Sequence, residues 1–198
     1  MQYGFFIDAK YCAGCKTCQI ACKDRASLEV GQLFRKVVNY EDGGWVQRGE
    51  GWVHNVTSYW LSISCNHCAD PACVCVCPTG AMYKRSDNGL VLVNQDDCVG
   101  CQSCVWACPY DAPQYNPEVG RVHKCDGCID RVEAGQRPVC VDACPYQLID
   151  FGDIEELRAK HGGTAWVQGL ADPSRTRPSL LVNPPTGAIS SPIGGSRK

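Results

Sequence analysis

Short alternating stretches of apolar and polar residues predict several brief strands along this chain. The aromatic-rich segment Tyr3–Ile7 and the alternating segment Val56–Ser64 each have the length of a single strand. Leu148–Phe151 has the same character nearer the other end. A helical turn is expected over Ala21–Arg25, and a longer helix after Asp153. The pattern favours small strands joined by loops.

Turn and cap residues predict a hairpin at one place and the two ends of a helix at another. Ser86-Asp-Asn-Gly89 lies between Ala81–Arg85 and Leu90–Val93, and its glycine can adopt the positive φ of a tight turn. A β-hairpin is therefore predicted there. Asp153 is a predicted N-cap, and a pair of glycines ends the following helix after His161.

Composition shows that the organic core of the 198-residue chain is thin. The hydrophobic share of 44% includes 17 Cys, while only 4 Phe and 2 Met are present. Metal ligation by the cysteines must then contribute to folding, as it does in small metallodomains. We expect the chain without metal to fold poorly.

Sixteen of the seventeen cysteines fall into four quartets. Cys98, Cys101 and Cys104 are each separated by two residues, and Cys108 follows three residues later, before a proline. In bacterial ferredoxins this run places three thiolates on one [4Fe–4S] cluster and the fourth on a neighbouring cluster. The other quartets are Cys12, Cys15, Cys18 and Cys22; Cys65, Cys68, Cys73 and Cys77; and Cys125, Cys128, Cys140 and Cys144. Four [4Fe–4S] clusters are therefore expected.

The order of the quartets predicts an α+β fold of two nested bacterial-ferredoxin-like modules, loop-rich and organised around the four clusters. The hairpin between the second and third quartets makes residues 56–109 an inner module. Residues 1–55 and 110–162 form the outer module, with an insertion at 26–55 that is expected to be a hairpin or loop outside the cluster core. Residues 163–198 remain as an extended C-terminal tail.

Crossed ligation within each module predicts which cysteines share a cluster. The expected sets are Cys12, Cys15, Cys18 and Cys144 for cluster 1; Cys65, Cys68, Cys73 and Cys108 for cluster 2; Cys98, Cys101, Cys104 and Cys77 for cluster 3; and Cys125, Cys128, Cys140 and Cys22 for cluster 4.

The tail is rich in Pro, Gly and Ser and is not expected to supply a packed core. It is either disordered or an extended arm that docks on a partner subunit. The apolar group Leu180–Val182, with Ile189 and Ile193 further on, suggests the docking arm.

Two other uses of cysteine compete with iron–sulfur clusters. A secreted disulfide scaffold is disfavoured because the N-terminus lacks the pattern of a signal peptide. A structural zinc protein is disfavoured because zinc ribbons use separated C-x2-C pairs, whereas the first and third quartets carry three cysteines in seven residues. A zinc protein would also be colourless.

Four further residues near the quartets have no predicted ligand role. Cys75 is out of register and is expected to be a free, partly buried thiol. His67 and His123 adjoin complete quartets, so supporting or surface roles are expected. Trp106 is expected to pack over a cluster, to donate its indole N–H to a sulfur, or to pack in the ordinary way.

Charge and hydropathy restrict the partners. The formal net charge is −2 without a basic block, which gives no case for nucleic acid. The longest uncharged run, Pro178–Ser196, is interrupted by prolines and is not expected to span a membrane. Because the N-terminus lacks a signal-peptide pattern, we expect cytoplasmic assembly, and any membrane association must come through another subunit. The side of the membrane stays open, co-export with a partner included.

Several motifs within residues 1–162 resemble one known family. They are Tyr3-Gly-Phe-Phe-Ile-Asp8, Cys15-Lys-Thr-Cys18, Ala21-Cys-Lys-Asp24, Leu61-Ser-Ile-Ser-Cys-Asn-His-Cys68, Lys124-Cys-Asp-Gly-Cys128 and Phe151-Gly-Asp-Ile-Glu-Glu-Leu157. Together they resemble the iron–sulfur B subunits of anaerobic dimethyl sulfoxide reductases. The quartets alone also fit the wider group of electron-transfer subunits that serve molybdenum enzymes. Some relatives replace one cysteine of the third quartet with tryptophan and carry a [3Fe–4S] cluster, but that quartet is complete here.

The resemblance implies a three-part complex of anaerobic respiration. A membrane subunit would oxidise menaquinol, this chain would conduct electrons, and a molybdopterin-containing catalytic subunit would reduce the sulfoxide. The residues agree, because no nucleophile with its base and no phosphate loop accompanies the metal sites, so no catalytic residue is predicted. The equivalent subunits of polysulfide, thiosulfate or tetrathionate reductase and of formate dehydrogenase remain alternatives. A further alternative is that the chain is itself an enzyme, a free-standing iron–sulfur reductase with its own substrate site.

Overall fold

The chain folds into short helices and small sheets in a computed structural model that describes residues 1–188. The strands are β1 (Tyr3–Asp8), β2 (Lys36–Asp42), β3 (Trp45–Arg48), β4 (Gly51–His54), β5 (Thr57–Ile63), β6 (Met82–Lys84), β7 (Val91–Val93), β8 (Gln114–Asn116), β9 (Arg121–His123), β10 (Ile149–Asp153) and β11 (Leu180–Asn183). The helices are α1 (Thr17–Arg25), α2 (Ala72–Cys75), α3 (Ser103–Ala107), α4 (Ile129–Glu133), α5 (Val139–Asp142) and α6 (Ile154–His161). This mixture confirms the predicted α+β, loop-rich class.

A three-stranded sheet joins the two ends of the chain. β1 is its central strand, antiparallel to β10 and parallel to β11. Phe5 and Ile7 of β1 face a core that includes Cys18 and Cys140, whereas Phe6 faces the opposite side and packs with Leu157 of α6. The sheet is therefore covered on both faces, and one face adjoins cluster cysteines.

Four two-stranded sheets make up the other strand pairs of the described residues. They pair β2 with β5, β3 with β4, β6 with β7, and β8 with β9. The β6–β7 pair is the hairpin predicted from Ser86–Gly89. The β8–β9 hairpin was not predicted.

The helix boundaries follow local chemistry. Asp153 caps α6 as predicted, since its carboxylate accepts hydrogen bonds from the N–H groups of Glu155 at 3.0 Å and Glu156 at 3.4 Å. α1 begins at Thr17, four residues before the predicted turn. Within residues 1–188 no helix is long and apolar enough to cross a bilayer.

The insertion at residues 26–55 lies only partly outside the core. The β3–β4 hairpin is exposed along most of its length, as expected. Arg35 and Val37, in contrast, are buried against β5 and the cysteine-rich core. The expectation that the insertion lies outside the cluster core is therefore wrong for this part, because β2 extends β5 into a sheet.

The segment predicted as a tail is part of the fold as far as the structure describes it. Leu180, Leu181 and Val182 are at most 2% exposed, and their strand pairs with β1. The expectation of disorder is therefore wrong up to residue 188, and Leu180–Val182 are buried within this chain and are not exposed for docking. Docking of the remaining tail residues on a partner stays a prediction. Ile189 and Ile193 lie outside the described residues.

Truncating Leu181 tests whether this last strand stabilises the chain. Leu181 is fully buried with Phe6, Ile154 and Leu157, so Leu181→Ala should lower the free energy of unfolding by about 3 kcal/mol. The thermal unfolding midpoint of the holoprotein should fall by about 9 °C. Val30→Ala, at a side chain that is 97% exposed, is the matched control and should unfold like the wild type. Equal midpoints for Leu181→Ala and Val30→Ala would contradict a core position for β11.

Candidate metal centres

Each quartet begins with a C-x2-C loop of the same backbone geometry. The residue before the second cysteine has a positive φ in all four loops: Gly14 at 69°, His67 at 42°, Gly100 at 67° and Gly127 at 72°. Glycine adopts this conformation without steric penalty, whereas histidine does not. At Gly14 there is also no room for a side chain, because an added Cβ would lie 2.3 Å from the Trp60 ring.

Two of the loops lead directly into helices that carry further cysteines. Lys16 and Gln102 occupy the N-cap positions of α1 and α3 in the left-handed conformation. Cys104 therefore lies in the first turn of α3, and Cys18 in the first turn of α1. Cys22 follows one turn later on the same face of α1.

The first set of thiols joins the two ends of the outer module. Cys12, Cys15 and Cys18 line one cavity together with Cys144, which lies more than 120 positions further along the sequence. The thiol of Cys12 interacts electrostatically with each of the other three.

The second and third sets lie in the inner module, where α2 packs on α3. One cavity is lined by Cys65, Cys68, Cys73 and Cys108. A separate cavity is lined by Cys77, Cys98, Cys101 and Cys104. Cys73 and Cys77 are only four positions apart in the sequence, yet they line different cavities.

The fourth set forms where α1 packs on α5. Cys22 interacts electrostatically with Cys140 and Cys128, and Cys125 interacts with Cys22 and Cys140. All four thiols are buried, with exposures of 4 to 7%.

The sixteen quartet cysteines are thus grouped as crossed ligation requires, and their role as ligands stays a prediction. Within residues 1–188 no group of three or more Cys, His, Asp or Glu side chains is placed to hold a single metal ion. Four thiols in the wall of one cavity fit a [4Fe–4S] cluster, in which each iron takes one thiolate. The donor chemistry of the sites therefore fits the predicted cofactor.

Burial makes several of these thiols poor acids. It raises the pKa of the Cys22 and Cys73 thiols to about 12 and that of the Cys68, Cys104 and Cys128 thiols to about 11. A thiolate at these positions needs a nearby positive charge, because the low-dielectric interior disfavours an isolated anion. Iron would supply that charge, so cluster binding and folding would be coupled.

Backbone N–H groups donate hydrogen bonds to some of the sulfurs. Leu148 N–H donates to Cys144 Sγ at 3.3 Å, and Met82 N–H donates to Cys77 Sγ at 3.4 Å. Each of these cysteines ends its quartet and precedes a proline. The repetition indicates that the two modules use the same local structure.

The structure corrects two of the expectations for the remaining residues. Cys75 is exposed, not partly buried, and lines neither cavity of the inner module. The side chain of Trp106 is 86% exposed, so the expectation that it packs within this chain is wrong.

Of the two histidines, His67 supports a neighbouring strand, whereas the ring Nε2 of His123 has no hydrogen-bond partner among the described residues. His67 is fully buried, and its Nδ1 accepts a hydrogen bond from Val91 N–H at 3.0 Å. Burial lowers the pKa of His67 well below its usual range and also lowers that of the half-buried His123. Both imidazoles are therefore neutral near pH 7.

Sequence reasoning missed Arg35 and Ser62. Arg35 is 1% exposed, and its guanidinium interacts electrostatically with the thiols of the first and fourth sets. Ser62 Oγ lies 3.2 Å from Cys18 Sγ. The apolar residues Phe34, Val37 and Val38 around Arg35 were the available signal for a strand, but arginine at an inward position is rare.

Comparison with known proteins agrees with the fold and the thiol sites. Residues 56–154 match the family model described as a 4Fe-4S dicluster domain. The protein is thus a ferredoxin-type iron–sulfur protein, and the zinc alternative is set aside.

Full-length relatives narrow the class. The sequence is 52% identical to the B component of anaerobic dimethyl sulfoxide reductase from Haemophilus influenzae, over 92% of this chain and 89% of the relative. It is 52% identical to the corresponding component from Escherichia coli K12, over 98% and 93%. The thiosulfate reductase electron transfer subunit PhsB of Salmonella typhi is 39% identical over 78% of each protein.

The protein therefore belongs to the family of iron–sulfur B components of anaerobic dimethyl sulfoxide reductases, as its motifs indicated. These proteins are iron–sulfur electron-transfer subunits of reductase complexes and not the catalytic subunits.

Two cysteines of α2 test the register of the second quartet. Cys73→Ser should lower the iron content of the purified protein, because Cys73 lines the second cavity and its replacement removes a soft ligand. Cys75→Ser, only two positions away at an exposed site, should leave iron content and complex assembly unchanged. Iron analysis of the two variants, prepared in parallel without oxygen, makes the comparison. Iron loss in Cys75→Ser would contradict the register.

Proposed function

We propose that this chain relays electrons within a membrane-bound anaerobic respiratory complex, from a quinol-oxidising membrane subunit to a molybdopterin catalytic subunit that reduces dimethyl sulfoxide. The choice of dimethyl sulfoxide as substrate rests on a difference in sequence identity between groups of relatives. It is 52% to the dimethyl sulfoxide reductase components but 42% to a tetrathionate reductase subunit and 39% to a thiosulfate reductase subunit.

The proposal includes four [4Fe–4S] clusters held by the crossed sets. Cys12, Cys15, Cys18 and Cys144 hold cluster 1; Cys65, Cys68, Cys73 and Cys108 hold cluster 2; Cys77, Cys98, Cys101 and Cys104 hold cluster 3; and Cys22, Cys125, Cys128 and Cys140 hold cluster 4. Each cluster, when bound, supplies a centre that takes up and releases one electron. The grouping supports two nested modules, residues 56–109 inside residues 1–55 and 110–162.

Contacts between the sets support the order 1, 4, 2, 3 along the electron path. α1 carries ligands of clusters 1 and 4, and the thiol of Cys125 in set 4 interacts electrostatically with Cys65 in set 2. Cys73 and Cys77 then connect sets 2 and 3 through α2 and its flank.

Exposure of the thiols is consistent with this order. Cys15 of set 1 and Cys101 of set 3 are exposed, whereas sets 2 and 4 contain no exposed cysteine. The ends of the series therefore reach the surface, where electrons enter and leave through partner subunits.

A second candidate is the same role in a related sulfur-oxyanion reductase. It is favoured by the 42% identity to the B component of tetrathionate reductase from Salmonella typhimurium, over 80% of this chain. The role of this chain would be unchanged, because the substrate is reduced on another subunit.

The complex purified under anoxic conditions tests the proposal. The chain should contain about sixteen iron and as much acid-labile sulfide, four of each in every cluster. The large subunit that co-purifies should reduce dimethyl sulfoxide with reduced dye as donor. If that subunit reduced tetrathionate or thiosulfate but not dimethyl sulfoxide, the result would support the second candidate function instead. Activity of this chain without any partner would contradict an electron-transfer role.

Three single substitutions test the crossed pairing. Cys18→Ser and Cys144→Ser should perturb the same paramagnetic signal, because both thiols line the first cavity. Cys22→Ser, one helical turn from Cys18, should perturb a different signal, because Cys22 belongs to the fourth set. Electron paramagnetic resonance of the three reduced variants makes the comparison. If Cys18→Ser and Cys22→Ser perturb one signal and Cys144→Ser another, each quartet holds its own cluster and the nested arrangement is wrong.

A further inference from the structure

Arg35 is a buried cation whose hydrogen-bond partners are neutral. Its Nη1 donates to the Ser62 carbonyl at 2.8 Å and to Ser62 Oγ at 3.2 Å, and its Nη2 donates to Ser64 Oγ at 3.0 Å. The Phe5 ring lies 4.7 Å from the guanidinium carbon. Removing a cation from water costs several kcal/mol unless a negative charge lies nearby.

The nearby negative charge comes from the thiols of two sets. Besides Cys18 of the first set, the guanidinium interacts electrostatically with Cys140, Cys125 and Cys22 of the fourth set. As cluster ligands these groups are thiolates, so they carry negative charge when the clusters are bound. The charge of Arg35 is therefore balanced when both clusters are bound.

Ser62 connects the guanidinium to one of these sulfurs. Its Oγ accepts a hydrogen bond from Arg35 Nη1 and lies 3.2 Å from Cys18 Sγ. A guanidinium only donates and a ligating thiolate only accepts, so the Ser62 hydroxyl proton must point to Cys18 Sγ. The Arg35 Nε has no partner among the described residues and remains available as a further donor.

A purely structural role would not require a charge here. A buried charged group can often be replaced by well-packed apolar residues without loss of stability. An apolar side chain would not place a charge between two sets of thiols. It would also lack the link through Ser62 to one of these sets.

We propose that Arg35 is a positioning residue for electron transfer, the shared counter-ion of clusters 1 and 4, which raises the reduction potentials of both, while Ser62 acts on cluster 1 alone. Reduction adds one negative charge to a cluster, and a fixed cation beside it stabilises the reduced state. Hydrogen bonds to the sulfurs act in the same direction. The inference rests on the proposed function, since both sets must hold clusters.

Redox titration of the assembled complex, followed by electron paramagnetic resonance, tests the assignment. Arg35→Gln should lower the midpoint potentials of two of the four clusters and leave the other two unchanged. Arg35→Lys, which keeps the charge, should restore most of the shift. Ser62→Ala should lower only one potential, that of the cluster whose signal Cys144→Ser perturbs.

Arg85→Gln is the matched control for the loss of one positive charge. Arg85 pairs with Asp87 and Glu133 on the surface and lines none of the cavities of sets 1, 2 and 3, so its replacement should shift none of the potentials. Unchanged potentials in Arg35→Gln, or an equal shift of all four, would overturn the inference. If Arg35→Gln does not assemble, Ser62→Ala decides: one lowered potential supports the inference and no change overturns it. Fewer than four clusters in the wild-type complex would instead contradict the proposed function.

Discussion

The need to bury cysteine thiolates only where iron compensates their charge constrains the whole structure. Because the last cysteine of each quartet faces the set begun by another quartet, no set is complete until distant segments meet. Cys144 must reach the N-terminal loop, and Cys22 must reach α5. The β10–β1–β11 sheet lies at this junction: β1 leads into the first quartet and β10 follows the last. Backbone pairing and the proposed metal ligation thus require the same chain closure.

Local structure is repeated, and its exceptions are informative. Four C-x2-C loops share a left-handed residue before the second cysteine, and in three of them this residue is glycine. In the inner module His67 takes the position, although the conformation is unfavourable for a residue with a Cβ. The imidazole compensates by accepting the Val91 N–H and filling the interior beside Lys124. The loop of the second quartet therefore lacks the conformational freedom of glycine but gains a buried hydrogen bond.

Sequence predicted the parts of this structure that depend on spacing and local pattern. The quartets, the β6–β7 hairpin and the Asp153 cap each involve residues close in sequence. β11 was missed because its partner β1 lies more than 170 positions away, and because prolines and glycines surround its short apolar run. Arg35 was missed for a different reason. Rules of burial exclude a lone cation from the core, and only the thiols brought from other segments make its position favourable.

The four proposed centres are of two kinds, which differ in the exposure of their cysteines to water. Sets 2 and 4 contain no exposed cysteine, so fixed groups of this chain dominate the electrostatic environment of their thiols. Sets 1 and 3 each have one exposed thiol, Cys15 and Cys101, and exposed side chains such as Tyr146 and Val99 line the same cavities. A partner that covers these surfaces removes water and so changes the dielectric around the terminal sets more than around the interior ones. In the proposed electron path, the fold thus sets the interior, whereas assembly with partners would complete the two ends.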